Sequence, residues 1–376
     1  INDANLPSNE YRAQFRIYSD NTPYEFEDPK VEQIVRAILD KASGDVYYRD
    51  LTRITSFSNN ISGVSSSQSI KTLSDLTALT NLRTIELSGE SAVEDYSVLS
   101  AINTLESISL TSCKLTSENL SQLFTLTNIS KLYLSGNNIS SVDGISALNH
   151  LTELDLSQNN ISSVSSLSGL NSLSVLDLSG NVITDLSGLS SLSSLSELDL
   201  SDNSTLTNLN GLSSLTRLKV LRISNLDISS LSPLSACTGV EEIYADGCKI
   251  SDVDALATCR SLKILDVSNT GVTSFISLAQ TPISQITANN CQVNSSAAFS
   301  GLSSLTNLTL KSNALTEVLT LASLNMLQNL DISGNPITDV SMLIDCVSLK
   351  YLNCSGIDVS GSVLSQFEAK GVMVVS

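Results

Sequence analysis

The spacing of leucine and isoleucine constrains this chain more than any other feature. Leu151, Leu154, Leu156, Asn159 and Ile161 spell LxxLxLxxNxI, and Leu173, Leu176, Leu178, Asn181 and Ile183 repeat it 22 residues later. Leu195, Leu198, Leu200 and Asn203 follow at the same interval. The frame starts again at Ile129, Leu218, Val240, Leu262, Ile283, Leu305, Leu327 and Leu349, with weaker copies at Leu51, Leu82 and Leu105. These fourteen copies turn a 376-residue chain, whose length alone suggests two or three compact domains, into one stacked array.

Within LDLS, alternate residues face opposite sides of a strand, so Leu154 and Leu156 point inward and Asp155 outward. A single repeat cannot bury that inward face, whereas stacked repeats can. Asn recurs three residues after the second strand leucine, at Asn137, Asn159, Asn181, Asn203, Asn313 and Asn335. The chain turns there, and a buried amide at that point can satisfy backbone groups of neighbouring coils. Composition agrees with repeated use of one aliphatic shape: 41% of residues are hydrophobic, 4% are aromatic and Trp is absent. The spacings after Leu51, Leu82 and Leu105 are 31, 23 and 24 residues, and Ser62 to Ser69 is a serine-rich insertion. An extra residue near Ser204-Thr205 and a one-residue deletion before Pro282 read as loop changes, not domain boundaries.

On these residues, above all the run LTELDLSQNNISSVSSLSGLNSL, the chain resembles bacterial leucine-rich-repeat proteins of the 22-residue, internalin-like subtype over roughly residues 51 to 360. The resemblance implies an α/β fold: a right-handed horseshoe solenoid with a parallel concave sheet, a 3-10 or extended convex side and a helical N-terminal cap. The organisation expected is a cap over 1–50, about fourteen repeats over 51–360 and a closing segment over 361–376. Asp28 reads as an N-cap with Pro29 at the first helical position, and Val31, Ile34, Val35, Ile38 and Leu39 form one apolar face ending before Gly44. The text FEDPKVEQIVRAILDKASGDVYYRDL resembles the caps that open many bacterial members. Residues 1–27 suggest a further helical piece through Tyr11 and Phe15. Asp20-Asn21-Thr22 lacks the D-x-[DN]-x-[DN]-G pattern of a calcium loop, and no metal is expected. At the other end Val363, Leu364 and Phe367 suggest a half-turn of helix before an edge strand at Val372 to Val375.

The seven cysteines fall on buried repeat positions. Cys113, Cys248 and Cys291 occupy the asparagine slot, where the resemblance also allows Cys. Cys237, Cys259 and Cys346 take a slot held elsewhere by Leu148, Leu170 and Leu192, and Cys354 takes an inward strand slot. Free Cys behaves there as a small hydrophobe. Cys237 and Cys259 fall in adjacent coils and are close enough in principle for a bridge, but the frame favours thiols. No pair has a zinc-like C-x₂₋₄-C spacing.

A net charge of −18 argues against nucleic acid and anionic membranes as partners, and leaves a basic protein or a glycan. No run approaches the roughly 20 apolar residues of a membrane span. Residues 1–5 lack a signal-peptide pattern, so any export signal or anchor would lie outside this sequence. His150, the only histidine, sits in a return turn, and no nucleophile elbow, phosphate loop or HExxH motif occurs. The expectation is a monomeric non-enzyme with no cofactor and no catalytic or metal site.

The outward strand positions give a candidate contact surface. One column runs Glu86, Ser109, Tyr133, Asp155, Asp177, Asp199, Arg222, Tyr244, Asp266, Thr287, Thr309, Asp331, Asn353. With strands about 4.8 Å apart, Asp155, Asp177 and Asp199 form a row of like charges that a cation relieves. Arg222 follows and is expected to neutralise Asp199, while Tyr133 and Tyr244 flank the row with apolar area and a polar tip. The adjacent column runs Glu153, Val175, Glu197, Val220, Glu242, Ile264. The binding patch expected spans residues 131–266. Its residues are Tyr133, Glu153, Asp155, Asp177, Glu197, Asp199, Arg222, Tyr244 and Asp266. The function expected is recognition of a protein or glycan partner at a bacterial surface. A structural spacer and an intracellular regulatory scaffold in the cytoplasm stand as alternatives.

Overall fold

A computed structural model describes residues 20–64 and 67–376. The helical piece expected through Tyr11 and Phe15 therefore lies outside the described residues. Fifteen short strands form one sheet in sequence order, and each pairs in parallel with the next. They are β1 Ser56–Ser58, β2 Thr84–Ser88, β3 Ser107–Thr111, β4 Lys131–Tyr133 and β5 Glu153–Asp155. Next come β6 Val175–Asp177, β7 Glu197–Asp199, β8 Val220–Arg222, β9 Glu242–Tyr244 and β10 Ile264–Asp266. The sheet ends with β11 Gln285–Thr287, β12 Asn307–Thr309, β13 Asn329–Asp331, β14 Tyr351–Asn353 and β15 Met373–Val375.

Each coil leaves its strand, turns, and returns along the convex side through a single 3-10 turn or an extended stretch. The turn needs a left-handed residue two positions past the second strand leucine. Gln158, Gly180, Asp202, Asn225, Asn269 and Asn290 all adopt positive φ there, which explains the Gly, Asn and Asp at that slot. Coils pack closely on the convex side. At Gly188 an added Cβ would lie 2.1 Å from the Val164 carbonyl oxygen, so the backbones touch where a side chain has no room.

The core is a continuous stack of Leu, Ile and Val from all coils. Asparagines stitch the coils together. The Asn159 amide donates to Leu134 O of the preceding coil (3.0 Å) and to Leu156 O (3.1 Å) and Ser157 O (3.0 Å) of its own, while its oxygen accepts the Ile139 amide (3.0 Å). Asn137, Asn181, Asn203, Asn313 and Asn335 repeat this arrangement. Cys113, Cys248 and Cys291 fill the same slot, and all seven cysteines are buried free thiols. Burial pushes the Cys248, Cys259 and Cys346 thiols up to about 11, which suppresses their reactivity.

The N-terminal end is closed by α1 (Pro29–Ile38) and α2 (Tyr48–Leu51). Asp28 caps α1 by accepting from the Lys30 and Val31 amides (2.8 and 3.2 Å), and its other oxygen accepts the Lys71 amide (2.7 Å). Asp75, in the first coil, accepts the Asp28 amide (2.9 Å) and the Tyr24 hydroxyl (2.9 Å). Two buried carboxylates therefore clasp cap to solenoid. The frame expected at Leu51 is displaced: Leu51 ends α2, and Phe57, not Ile54, pairs with Ile85 of the next coil. The first coil thus begins at Ile54, because the cap helix uses Leu51 for its own packing. In the third coil a short helix, α3 (Ser117–Ser121), precedes the 3-10 turn, and at the far end α4 (Gly361–Ala369) covers the core with Phe367. This is a full helix where a half-turn was expected.

Candidate functional site

The register places the outward residues where the spacing predicts. Tyr133, Asp155, Asp177, Asp199, Arg222, Tyr244 and Asp266 stand in one row across β4 to β10. Glu153, Val175, Glu197, Val220, Glu242 and Ile264 form the parallel row beside it. All of these side chains are half-buried except Glu197, which is exposed.

The aspartates have a structural task as well. Asp155 Oδ1 accepts the Ser157 amide (2.8 Å) and hydroxyl (2.6 Å), and Asp177 and Asp199 accept the Ser179 and Ser201 amides at 2.9 Å. Asp266 and Asp331 do the same with Ser268 and Ser333. This Asp-x-Ser turn ends the strand in these five coils. It uses one carboxylate oxygen and leaves the charge uncompensated.

Charge pairing divides the surface. Glu153 receives Lys131 Nζ at 2.7 Å and the Tyr133 hydroxyl, and the ammonium above all holds its carboxyl below the usual range. Burial, helped by Glu153, pushes the Tyr133 hydroxyl up to about 12. Tyr244 donates to Glu242 (2.8 Å). Asp155, Asp177, Glu197 and Asp199 form no ion pair among the described residues. Burial raises the Asp199 carboxyl, and the Asp177 charge adds to the rise against its serine hydrogen bonds.

Arg222 stands beside Asp199 and its charge offsets part of the rise in that carboxyl, without forming a direct ion pair. Its guanidinium lies over the Tyr244 ring, 5.4 Å from the centroid, where the ring face attracts it. A long flexible side chain has two neighbours within reach, and strand order alone cannot choose between them. Lys131 is a further member of the site that its spacing marks: it lies 22 residues before Glu153 and so directly beside it. The unpaired acids also sit in a wider field: residues 132–216 contain eight Asp or Glu and no Lys or Arg, whereas six basic residues fall between Arg217 and Lys263. Among the described residues no group of three or more His, Cys, Asp or Glu is arranged to hold a metal, and no helix is long and apolar enough to cross a membrane.

Models of leucine-rich repeats match residues 127–172, 149–191 and 285–337. No curated protein matches the sequence. Among solved structures, an internalin of Listeria monocytogenes is 22% identical, covering 93% of this chain and 95% of its own, with a TM-score of 0.70. A leucine-rich-repeat protein of Leptospira interrogans is 20% identical over 87% of this chain and 84% of its own, with a TM-score of 0.77. A plant peptide hormone receptor solved in complex with RGF2 is 19% identical over 73% of this chain and 47% of its own, with a TM-score of 0.59. At these identities the likeness is one of fold.

Proposed function

Because the chain is a leucine-rich-repeat solenoid with the architecture of bacterial internalins, we propose that it is a non-catalytic binding protein that takes a basic protein partner on β4 to β10, at a bacterial cell surface or outside the cell. One observation carries this reading. Asp155, Asp177, Glu197 and Asp199 form no ion pair among the described residues, and Arg222 at the end of the row is the one basic neighbour on their strands, while Glu153 and Glu242 are engaged by Lys131 and Tyr244. Val175 and Val220 lie between these acids and add apolar contact area. Charge on such a surface steers association and selects the partner. The plant receptor of the same fold, solved with RGF2, supports the use of this architecture for holding a ligand.

A spacer function is favoured by the Asp-x-Ser hydrogen bonds, which account for the aspartates by strand ending alone. The two readings separate with Asp177→Asn combined with Asp199→Asn. Asn keeps the acceptor, as Asn353 does for the Ser355 amide (3.1 Å), and removes the charge. Binding to a panel of cationic proteins is measured by surface plasmon resonance. The expected result is a loss of about tenfold or more in the double variant, with wild-type affinity falling as salt rises. Unchanged binding in the double variant and after Tyr133→Ala and Tyr244→Ala would sink the proposal.

A further inference from the structure

The crossing from β7 to β8 differs from the others among the described residues. It carries the extra residue near Ser204-Thr205, and it alone passes between successive strands without a helix or a 3-10 turn. Asn210 and Gly211 lie at its turn, with Asn210 exposed and the flanking Leu209 and Leu212 buried. Of the 17 glycines, Gly211 is the one that follows an asparagine. The Asn210 backbone N–H donates to Asn208 Oδ1 (3.0 Å), but neither the Gly211 N–H nor the Asn210 side chain has a hydrogen-bond partner among the described residues. The two aspartates that precede glycine are shielded by contrast. After Asp246, the Gly247 N–H donates to Ser268 O (2.9 Å). Before Gly144, hydrogen bonds from Ser166 and Ser141 hold the Asp143 carboxyl below the usual range, and an ionised carboxylate is a poor electrophile.

We propose that Asn210–Gly211 is a spontaneous modification site, at which the folded chain deamidates and accumulates an isoaspartyl linkage. The reaction needs only water. The Gly211 nitrogen gives up its proton to solvent base and attacks Asn210 Cγ. The bond from Cγ to the side-chain nitrogen then breaks, and ammonia leaves after taking a proton back from solvent. Water opens the resulting cyclic imide at either carbonyl, giving aspartate or, where the chain now runs through Cγ, isoaspartate. Nothing is oxidised or reduced. Glycine favours the attack because it has no Cβ to obstruct the approach, and an unpaired N–H has no hydrogen bond to give up first. The product does not fit the crossing. Isoaspartate adds a methylene carbon to the backbone path, whereas even a Cβ on Gly211 would lie 2.4 Å from the Leu186 carbonyl oxygen. The turn must therefore push away from the preceding coil, between the strands that carry Asp199 and Arg222. This site lies in a convex-side turn and does not depend on the partner proposed for the acidic row.

The test ages the full chain at mildly alkaline pH and digests it in acid, which stops further reaction. Peptides are read by mass spectrometry and by enzymatic methylation of isoaspartyl groups. The peptide containing Asn210 is expected to gain the amide-to-acid mass and to take up methyl groups ahead of those containing Asn171 and Asn294, exposed asparagines that precede serine. Asn210→Ser should abolish the signal and leave thermal unfolding of the fresh protein in place, since the Asn210 side chain holds nothing. Aged wild-type chain should unfold at a lower temperature than fresh chain, and aged Asn210→Ser should not. A folded chain that stays unconverted while a synthetic peptide of residues 206–214 converts under the same conditions would overturn the proposal, because the crossing would then protect the site. Conversion at Asn171 or Asn294 as fast as at Asn210 would overturn it too.

Discussion

The coils carrying Asn137 to Asn203 and those carrying Leu226 to Cys291 share one frame but are held together differently. In the first group every turn slot holds an asparagine that donates to carbonyls of two coils and accepts an amide from the coil before it. In the second group the slot reads Leu226, Cys248, Thr270 and Cys291. Cys248 Sγ reaches the Ile223 carbonyl at 3.0 Å and Cys291 Sγ the Val267 carbonyl at 3.1 Å, but Thr270 Oγ1 bonds within its own coil to Val267 O. No amide oxygen stands in these slots: the Leu226 and Thr270 amides of the preceding coils face the Cys248 and Cys291 thiols, which are weaker acceptors than the Asn159 oxygen. The difference teaches that aliphatic stacking suffices to propagate the solenoid, since the core runs unbroken through both groups, while the asparagine ladder sets how tightly neighbouring coils are tied. The acids without an ion pair sit on the tightly tied coils, which also hold the Lys131–Glu153 pair, whereas Asp227 and Glu241 on the looser coils are paired with lysines.

The largest effect expected follows from breaking the ladder where it is complete. Asn181→Ala removes donations to Leu156 O and Leu178 O and the acceptor for the Ile161 amide, leaving buried backbone groups unpaired. The expected cost is about 3 kcal/mol, against about 1 kcal/mol for Cys248→Ala in the same slot. Urea unfolding of the two variants checks the ratio. Equal costs would mean that the slot contributes volume alone. The converse substitution sharpens the comparison with a smaller effect. Cys248→Asn places an amide beside the Ile223 carbonyl that the thiol already reaches, and it is expected to stabilise by about 1 kcal/mol. Amide hydrogen exchange in residues 223–250 should slow accordingly. Faster exchange would show that the looser coils cannot accept the asparagine geometry.

Much of this was legible in the sequence because a solenoid is nearly one-dimensional. Once the 22-residue frame is fixed, adding the period locates each neighbour, so the rows of outward residues and the burial of all seven cysteines follow from counting. Counting fails where another element captures a frame residue, as α2 captures Leu51. It also fails where a side chain has a choice, as Arg222 has between Asp199 and Tyr244. The serine hydrogen bonds of Asp155, Asp177 and Asp199 were present in the text as Asp-x-Ser, a turn signature with a local cause. The identity of a partner is written in no periodicity.

The smallest effect tests the electrostatic half of the comparison. Asp199 lies in the acidic field with its carboxyl raised by burial and by Asp177, whereas hydrogen bonds from Lys263 and Lys219 hold the Glu241 carboxyl below the usual range. On lowering pH, carboxyl NMR shifts should show Asp199 protonating above the ordinary aspartate value and Glu241 below the ordinary glutamate value. The signs for stability are opposite. The raised group contributes stability that is complete below its unfolded value and is lost as pH rises through the folded value. The lowered group contributes stability present above its unfolded value and lost as pH falls through the folded one. Asp177→Asn should bring the Asp199 titration down toward normal, and so should a bound cationic partner, since either removes or offsets the neighbouring charge. If Asp177→Asn leaves Asp199 unmoved, burial alone raises it, and the aspartate row carries no mutual repulsion for a partner to relieve.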